Sequence, residues 1–135
     1  YGSVDYYYGL DAVNDGIRLL GGGTTPLIIR TFQAGVFQQS YNDNVTFSNG
    51  VWYLIGATVS GATGKVWQNG ADITTVSGVH IAPVSSAGSS KYIGQDGANG
   101  GVINGLVALP CLLTKALSAT EFLNYFNQTR HLFGV

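Results

Sequence analysis

Residues 49–70 read NGVWYLIGATVSGATGKVWQNG. Alternation within this stretch places Tyr53, Ile55, Ala57 and Val59 on one face and Trp52, Leu54 and Thr58 on the other, the period of two that a half-buried strand requires. A helix would space its apolar residues three and four apart. Gly61 to Gly64 supply a turn. Residues 65–77, KVWQNGADITTVS, continue the pattern through Asn69-Gly70, a pair that favours the left-handed conformations of a tight hairpin. The stretch therefore predicts antiparallel strands joined by short turns.

Similar runs lie on either side. VDYYYGLDA alternates, with Tyr6 and Tyr8 on one face and Asp5, Tyr7 and Gly9 on the other; a turn at Asn14-Asp15-Gly16 follows. Next come IRLLGG, PLIIRTFQ and VFQQSYNDNVTF, the last ending at Ser48-Asn49-Gly50. Downstream, SSAGSS and QDGANGG read as loops, KYIGQ as a short strand, and GLVALPCLL (residues 105–113) as the last strand, with Pro110 restricting it to an edge or a bulge. Closely spaced strands with turn signals between them predict an all-β, two-sheet antiparallel sandwich.

The composition then changes. In ALSATEFLNYFNQTRHLFGV (residues 116–135), Ser118 and Glu121 have the spacing of a capping box, and Leu117 and Phe122 that of a hydrophobic staple. Phe122, Leu123 and Phe126 form an apolar stripe, and Gly134 stands where a helix stops. One short C-terminal helix is predicted. At about ten residues it is marginal alone, so its place is against one sheet or over an open end of the sandwich.

A length of 135 residues fits one domain. The apolar fraction of 45% indicates a folded core, whereas the charged fraction of 10% is well under the usual quarter, so the surface must be rich in hydroxyls and amides. Net charge is −1, and the six Lys and Arg are scattered singly, leaving no basic stripe to follow a phosphate backbone. Neither nucleic acid nor a membrane is expected as a partner, since no apolar run reaches the length of a bilayer span. The absence of Met makes Tyr1 an unsuitable translation start; the expectation is a processed chain or a longer N-terminal part. Cys111, the sole cysteine, excludes an internal disulfide and reads as a small buried apolar residue.

The ordered motifs resemble the concanavalin A-like lectin/glucanase superfamily, particularly its laminin-G-like members. The resemblance is carried by Trp52, Thr58-Val59-Ser60-Gly61, Trp67-Gln68-Asn69-Gly70, Ile93-Gly94, Asn104-Gly105 and Leu117-Ser118 through Glu121. It covers residues 45–135, with the first 44 matching loosely. It implies a single jelly-roll domain over residues 1–135, with Trp52 and Trp67 packed in or near the core. The family usually begins with further strands, one of which pairs with the last. The resemblance therefore implies N-terminal strands missing or supplied by other segments, and an open sheet edge for another chain or segment to cover. The ending, Leu123 to Arg130 and then Phe133-Gly134-Val135, is similar to such domains in tailed-phage structural proteins.

Catalysis is not expected. Glycoside hydrolysis needs two carboxylates at a fixed separation; Glu121 is the single Glu and caps a helix, and the six Asp are dispersed. His80 and His131 read as a solvated and a helix-end residue rather than as catalytic bases. The resemblance instead implies two binding roles. One is a non-enzymatic virion protein of a phage (a decoration, tail or fibre domain) that docks on other virion proteins or on copies of itself. The other is an extracellular carbohydrate-binding module, with loop candidates Tyr41, Asn42, Asp43, Asn44, Tyr92, Asp96 and Asn99 contacting glycans. No cofactor is required, although oxygen-rich loops at Asp43 or Asp96 suit calcium.

Overall fold

The computed structural model describes residues 5–10, 16–22, 25–33, 36–81, 91–94, 103 and 105–135. It is mostly β, with two antiparallel sheets and one C-terminal helix. The strands are β1 (Asp5–Leu10), β2 (Gly16–Gly22), β3 (Thr25–Gln33), β4 (Val36–Asn42), β5 (Ile55–Ser60), β6 (Thr63–Gln68), β7 (Ala71–Asp72) and β8 (Lys91–Ile93). One sheet has the order β4-β3-β2-β1-β8, the other β5-β6-β7. Asn69 (φ 50°) and Gly70 (φ 85°) form the two-residue turn between Gln68 and Ala71 that the sequence predicts.

The sheets meet across an apolar core of Leu27 and Ile29 from β3, Val66 from β6 and Val45 from the loop after β4. Ile17 and Leu19 of β2 and Ile55, Ala57 and Val59 of β5 flank it, so these three residues of β5, which the alternation puts on one face, form its inner face. Since β6 alternates, Trp67 points away from Val66, toward the outer face of the smaller sheet. Its ring is 2% exposed because helix α1 (Ala119–Thr129) covers it. Phe122 stacks on Trp67 with centroids 4.9 Å apart and planes 9° from parallel. Gly56 is the position that admits this ring, because a Cβ there would enter its van der Waals radius. The capping box holds the start of the helix: Ser118 Oγ accepts from the Glu121 N–H, while Glu121 Oε2 accepts from the Ser118 N–H at 2.8 Å. Lys115 bonds the same carboxylate at 2.6 Å. Leu117 and Phe126 are half-buried, and half-buried Trp52 packs on Phe133 at 4.7 Å.

Four expectations are corrected. Residues 51–54 are not strand; the ladder begins at Ile55. Gly105–Leu113 is not a strand either, because no described strand pairs with it, and its apolar side chains face outward. Cys111 within it is exposed rather than buried. His80 is not solvated: it is 3% exposed and wedged between the sheets, where Gly64 leaves room for its ring.

Truncating the stacked ring removes the main anchor of the helix. Phe122→Ala is expected to cost about 3–5 kcal/mol, measured by denaturant unfolding, with loss of helical ellipticity. Gly64→Ala is expected to cost about 1–3 kcal/mol through overpacking against His80. An unchanged denaturation midpoint in either variant would contradict the packing described.

Candidate docking groove

Three strands face five. β6 lies over β3 and β4, and β5 follows beside it as the edge of the smaller sheet. Beyond β5, the larger sheet has no facing strand among the described residues. The space there is a groove of about 760 Å³. It is lined by Ile17 and Leu19 of the larger sheet, by β5, by Leu106–Leu113 as its rim and, from the C-terminal helical segment, by Tyr125 and Phe133.

The register of β5 determines what this wall offers. Asn69 donates its N–H to the Leu54 carbonyl at 2.8 Å, so residues 54 and 69 are a hydrogen-bonded pair. Gly56↔Trp67 and Thr58↔Lys65 follow as bonded pairs, two residues apart. Ile55, Ala57 and Val59 therefore aim their N–H and carbonyl groups away from β6, into the groove, with no hydrogen-bond partner among the described residues. An unpaired edge of this kind is a template for a further strand.

The rim adds apolar surface. Leu106 is 81% exposed, Leu112 61% and Leu109 52%, three large apolar side chains exposed within seven consecutive residues. Leu109 has φ 49°, a conformation costly for a branched residue, and it precedes Pro110, which favours extended backbone. Lys115 and Arg130 are the charged residues among the described groove lining. Lys115 is already paired with Glu121.

The loop candidates for a glycan or calcium site have other work. Tyr41 exchanges backbone hydrogen bonds with Val76 at 2.9 and 3.0 Å. The Asn42 amide donates to the Ile73 carbonyl. Asp43 Oδ1 accepts from Thr75 Oγ1 at 2.8 Å and from the Asn44 amide at 3.0 Å. Asn42 Oδ1 accepts from the Asn44 N–H at 2.7 Å, a local turn. Together Tyr41 to Asn44 clasp the 73–76 segment. Tyr92 is half-buried on β8, away from this clasp in the sheet order; Asp96 and Asn99 lie outside the described residues. Among the described residues no three His, Cys, Asp or Glu gather into a group able to hold a metal ion. Among the described residues, no helix is long and apolar enough to cross a membrane.

The sequence resemblance implies an open edge beside the last predicted strand, residues 105–113, which is not a strand here; the outward edge of β5 is a different one that the sequence does not indicate. The register of β5 against β6 identifies it, through the Leu54–Asn69 pair.

No protein-family model matches this chain, and no curated protein matches it. The chain is similar to a solved S-layer domain-containing protein (residues 221–444) of Clostridium thermocellum, at 20% identity and a TM-score of 0.49. The match covers 92% of this chain and 63% of the other, so the chain spans less than two thirds of that structure.

Asp43→Ala removes two acceptor contacts of the clasp. It is expected to lower stability by about 1 kcal/mol, read as a shift in denaturation midpoint, and combined with Thr75→Val the two losses should be less than additive, because both variants lose the Thr75–Asp43 side-chain bond. Additive losses would show that Asp43 acts elsewhere.

Proposed function

We propose that this chain is a non-enzymatic docking domain of a larger surface assembly, and that it joins its neighbour by accepting an extended strand along β5. The observation that carries this is the outward backbone of Ile55, Ala57 and Val59 opening into an apolar groove. Main-chain bonds along such an edge supply affinity, and side-chain pockets supply selection. The jelly-roll sandwich implied by the sequence resemblance agrees with this reading, since an added strand extends the shorter sheet toward the span of the larger one. The tailed-phage particle is the assembly that the resemblance of residues 116–135 favours, with a decoration, tail or fibre role in the virion. The carbohydrate-binding alternative gains no support from the loop at Tyr41–Asn44, whose polar groups hold the fold together.

The edge can be tested without disturbing the hairpin. Ala57→Pro deletes one outward N–H and leaves the β5–β6 bonds in place. In phage particles assembled with the variant, incorporation is expected to fall at least about tenfold, and in wild-type particles the amides of Ile55, Ala57 and Val59 should be protected from hydrogen exchange relative to the isolated chain. Full incorporation of the variant, with those amides exchanging freely in the particle, would overturn the strand-docking reading.

A further inference from the structure

His80 lies where the two layers are joined. Its backbone N–H donates to the Ala62 carbonyl in the β5–β6 turn at 2.9 Å, and the adjacent Val79 bridges to Thr63. Its ring reaches the other sheet: Nδ1 is 2.8 Å from Thr31 Oγ1 on β3, and Nε2 is 2.8 Å from Ser40 Oγ on β4. Thr31 and Ser40 are fully buried.

These contacts have one wiring that uses every hydrogen. The Gly78 N–H donates to Ser40 Oγ at 3.1 Å, and the Ser40 hydroxyl then donates to Nε2. Nδ1–H donates to Thr31 Oγ1, whose hydroxyl donates to Gln38 Oε1 at 3.4 Å. That wiring requires a neutral imidazole with its hydrogen on Nδ1. A second proton on Nε2 meets the Ser40 hydroxyl hydrogen head-on. Ser40 must then turn away, and no other acceptor reaches it among the described residues. A buried donor without a partner is costly, and so is a buried cation without a counterion.

Among the described residues, no carboxylate faces the ring to offset that charge. Of the elements packed around it, β4, the β5–β6 turn and the 73–81 segment carry no charged residue. On β3, Arg30 bonds Gln39 at 3.0 Å and lies over Phe37. Thr31, beside it in the strand, projects to the opposite, inner face. On β6, Lys65 pairs at 2.7 Å with Asp72 of β7, again on the face opposite Gly64. Burial holds the imidazole below its ordinary value of 6.5.

We propose that His80 is an acid-sensitive latch between the sheets: uptake of one proton unpins the β5–β6 hairpin and the 73–81 segment from β3 and β4. A group whose folded value lies below its unfolded one contributes stability fully above pH 6.5, and loses it progressively as pH falls below 6.5. The titration of Glu121 is distinct. Glu121 is drawn down from 4.5 to about 2, chiefly by Lys115, so its contribution is present above 4.5 and lost as pH falls toward about 2.

The test is carried out between pH 7.5 and about 5, above the Glu121 window. In the wild-type chain, the His80 imidazole is followed by NMR while exchange at the Val76 and His80 amides is measured, corrected for intrinsic pH dependence. The imidazole should titrate below 6.5, and the unfolding equilibrium constant should rise by up to about tenfold per pH unit between the unfolded and folded values. Amide protection at both positions should fall in step. His80→Gln should flatten the profile whatever its absolute stability, and Ser40→Ala, which removes the opposing hydroxyl hydrogen, should raise the imidazole titration toward 6.5. An imidazole titrating at or above 6.5, proton uptake without loss of protection, or an unchanged profile in His80→Gln would each overturn the latch.

Discussion

Strand β6 is the element on which the rest depends, because the alternation of its side chains joins two interfaces at neighbouring residues. Val66 enters the core between the sheets, and Trp67, one residue on, turns outward beneath Phe122 of the helix. A single strand thus holds a layer on each face. The geometry leaves no slack, since a one-residue slip in register would send Trp67 into the core and Val66 under the helix. The β5–β6 ladder and the Asn69-Gly70 turn fix that register. The helix then has a defined surface to cover, which a segment of its length needs in order to persist.

Much of this arrangement is legible from local sequence. Period-two alternation groups Ile55, Ala57 and Val59 on one face of β5, Asn69-Gly70 finds the hairpin, and Ser118 with Glu121 finds the helix start; each signal is complete within a few residues. What could not be read depends on partners far away in the chain. The ring contacts of His80 lie 49 and 40 residues upstream, and nothing in GVHIAPV announces two hydroxyls waiting across the core. Residues 105–113 mislead for the opposite reason. They are apolar enough for a buried strand, but composition sets only a preference, and a strand also requires a neighbour whose backbone groups face it. Without one, Cys111 and the leucines around it remain at the surface. The oxygen-rich character of the Tyr41–Asn44 loop is visible in its residue types. That those oxygens are already occupied is not, because their partners, Ile73 to Val76, come from beyond the next hairpin.

The latch and the groove act on the same strand pair from opposite ends. β5 presents its outward edge to the groove, while the turn that closes β5 and β6 is held by the His80 backbone. A partner strand on β5 would therefore rest on a hairpin whose attachment to the larger sheet passes through a titratable ring. The neutral, fully wired form of that network gives the groove a fixed wall near pH 7 and above, and the apolar core of Leu27, Ile29 and Val66 is indifferent to pH.

The scarcity of charge along the groove also determines how a partner arrives. Among the described residues, Lys115 and Arg130 are the charged side chains that line the groove, so the described lining itself offers little field to draw a neighbour in or orient it during diffusion. Encounter then proceeds at the unassisted pace of about 10⁵–10⁶ M⁻¹s⁻¹, insensitive to ionic strength. The persistence of the joint would come from slow dissociation, a property suited to a component that is installed once and then stays.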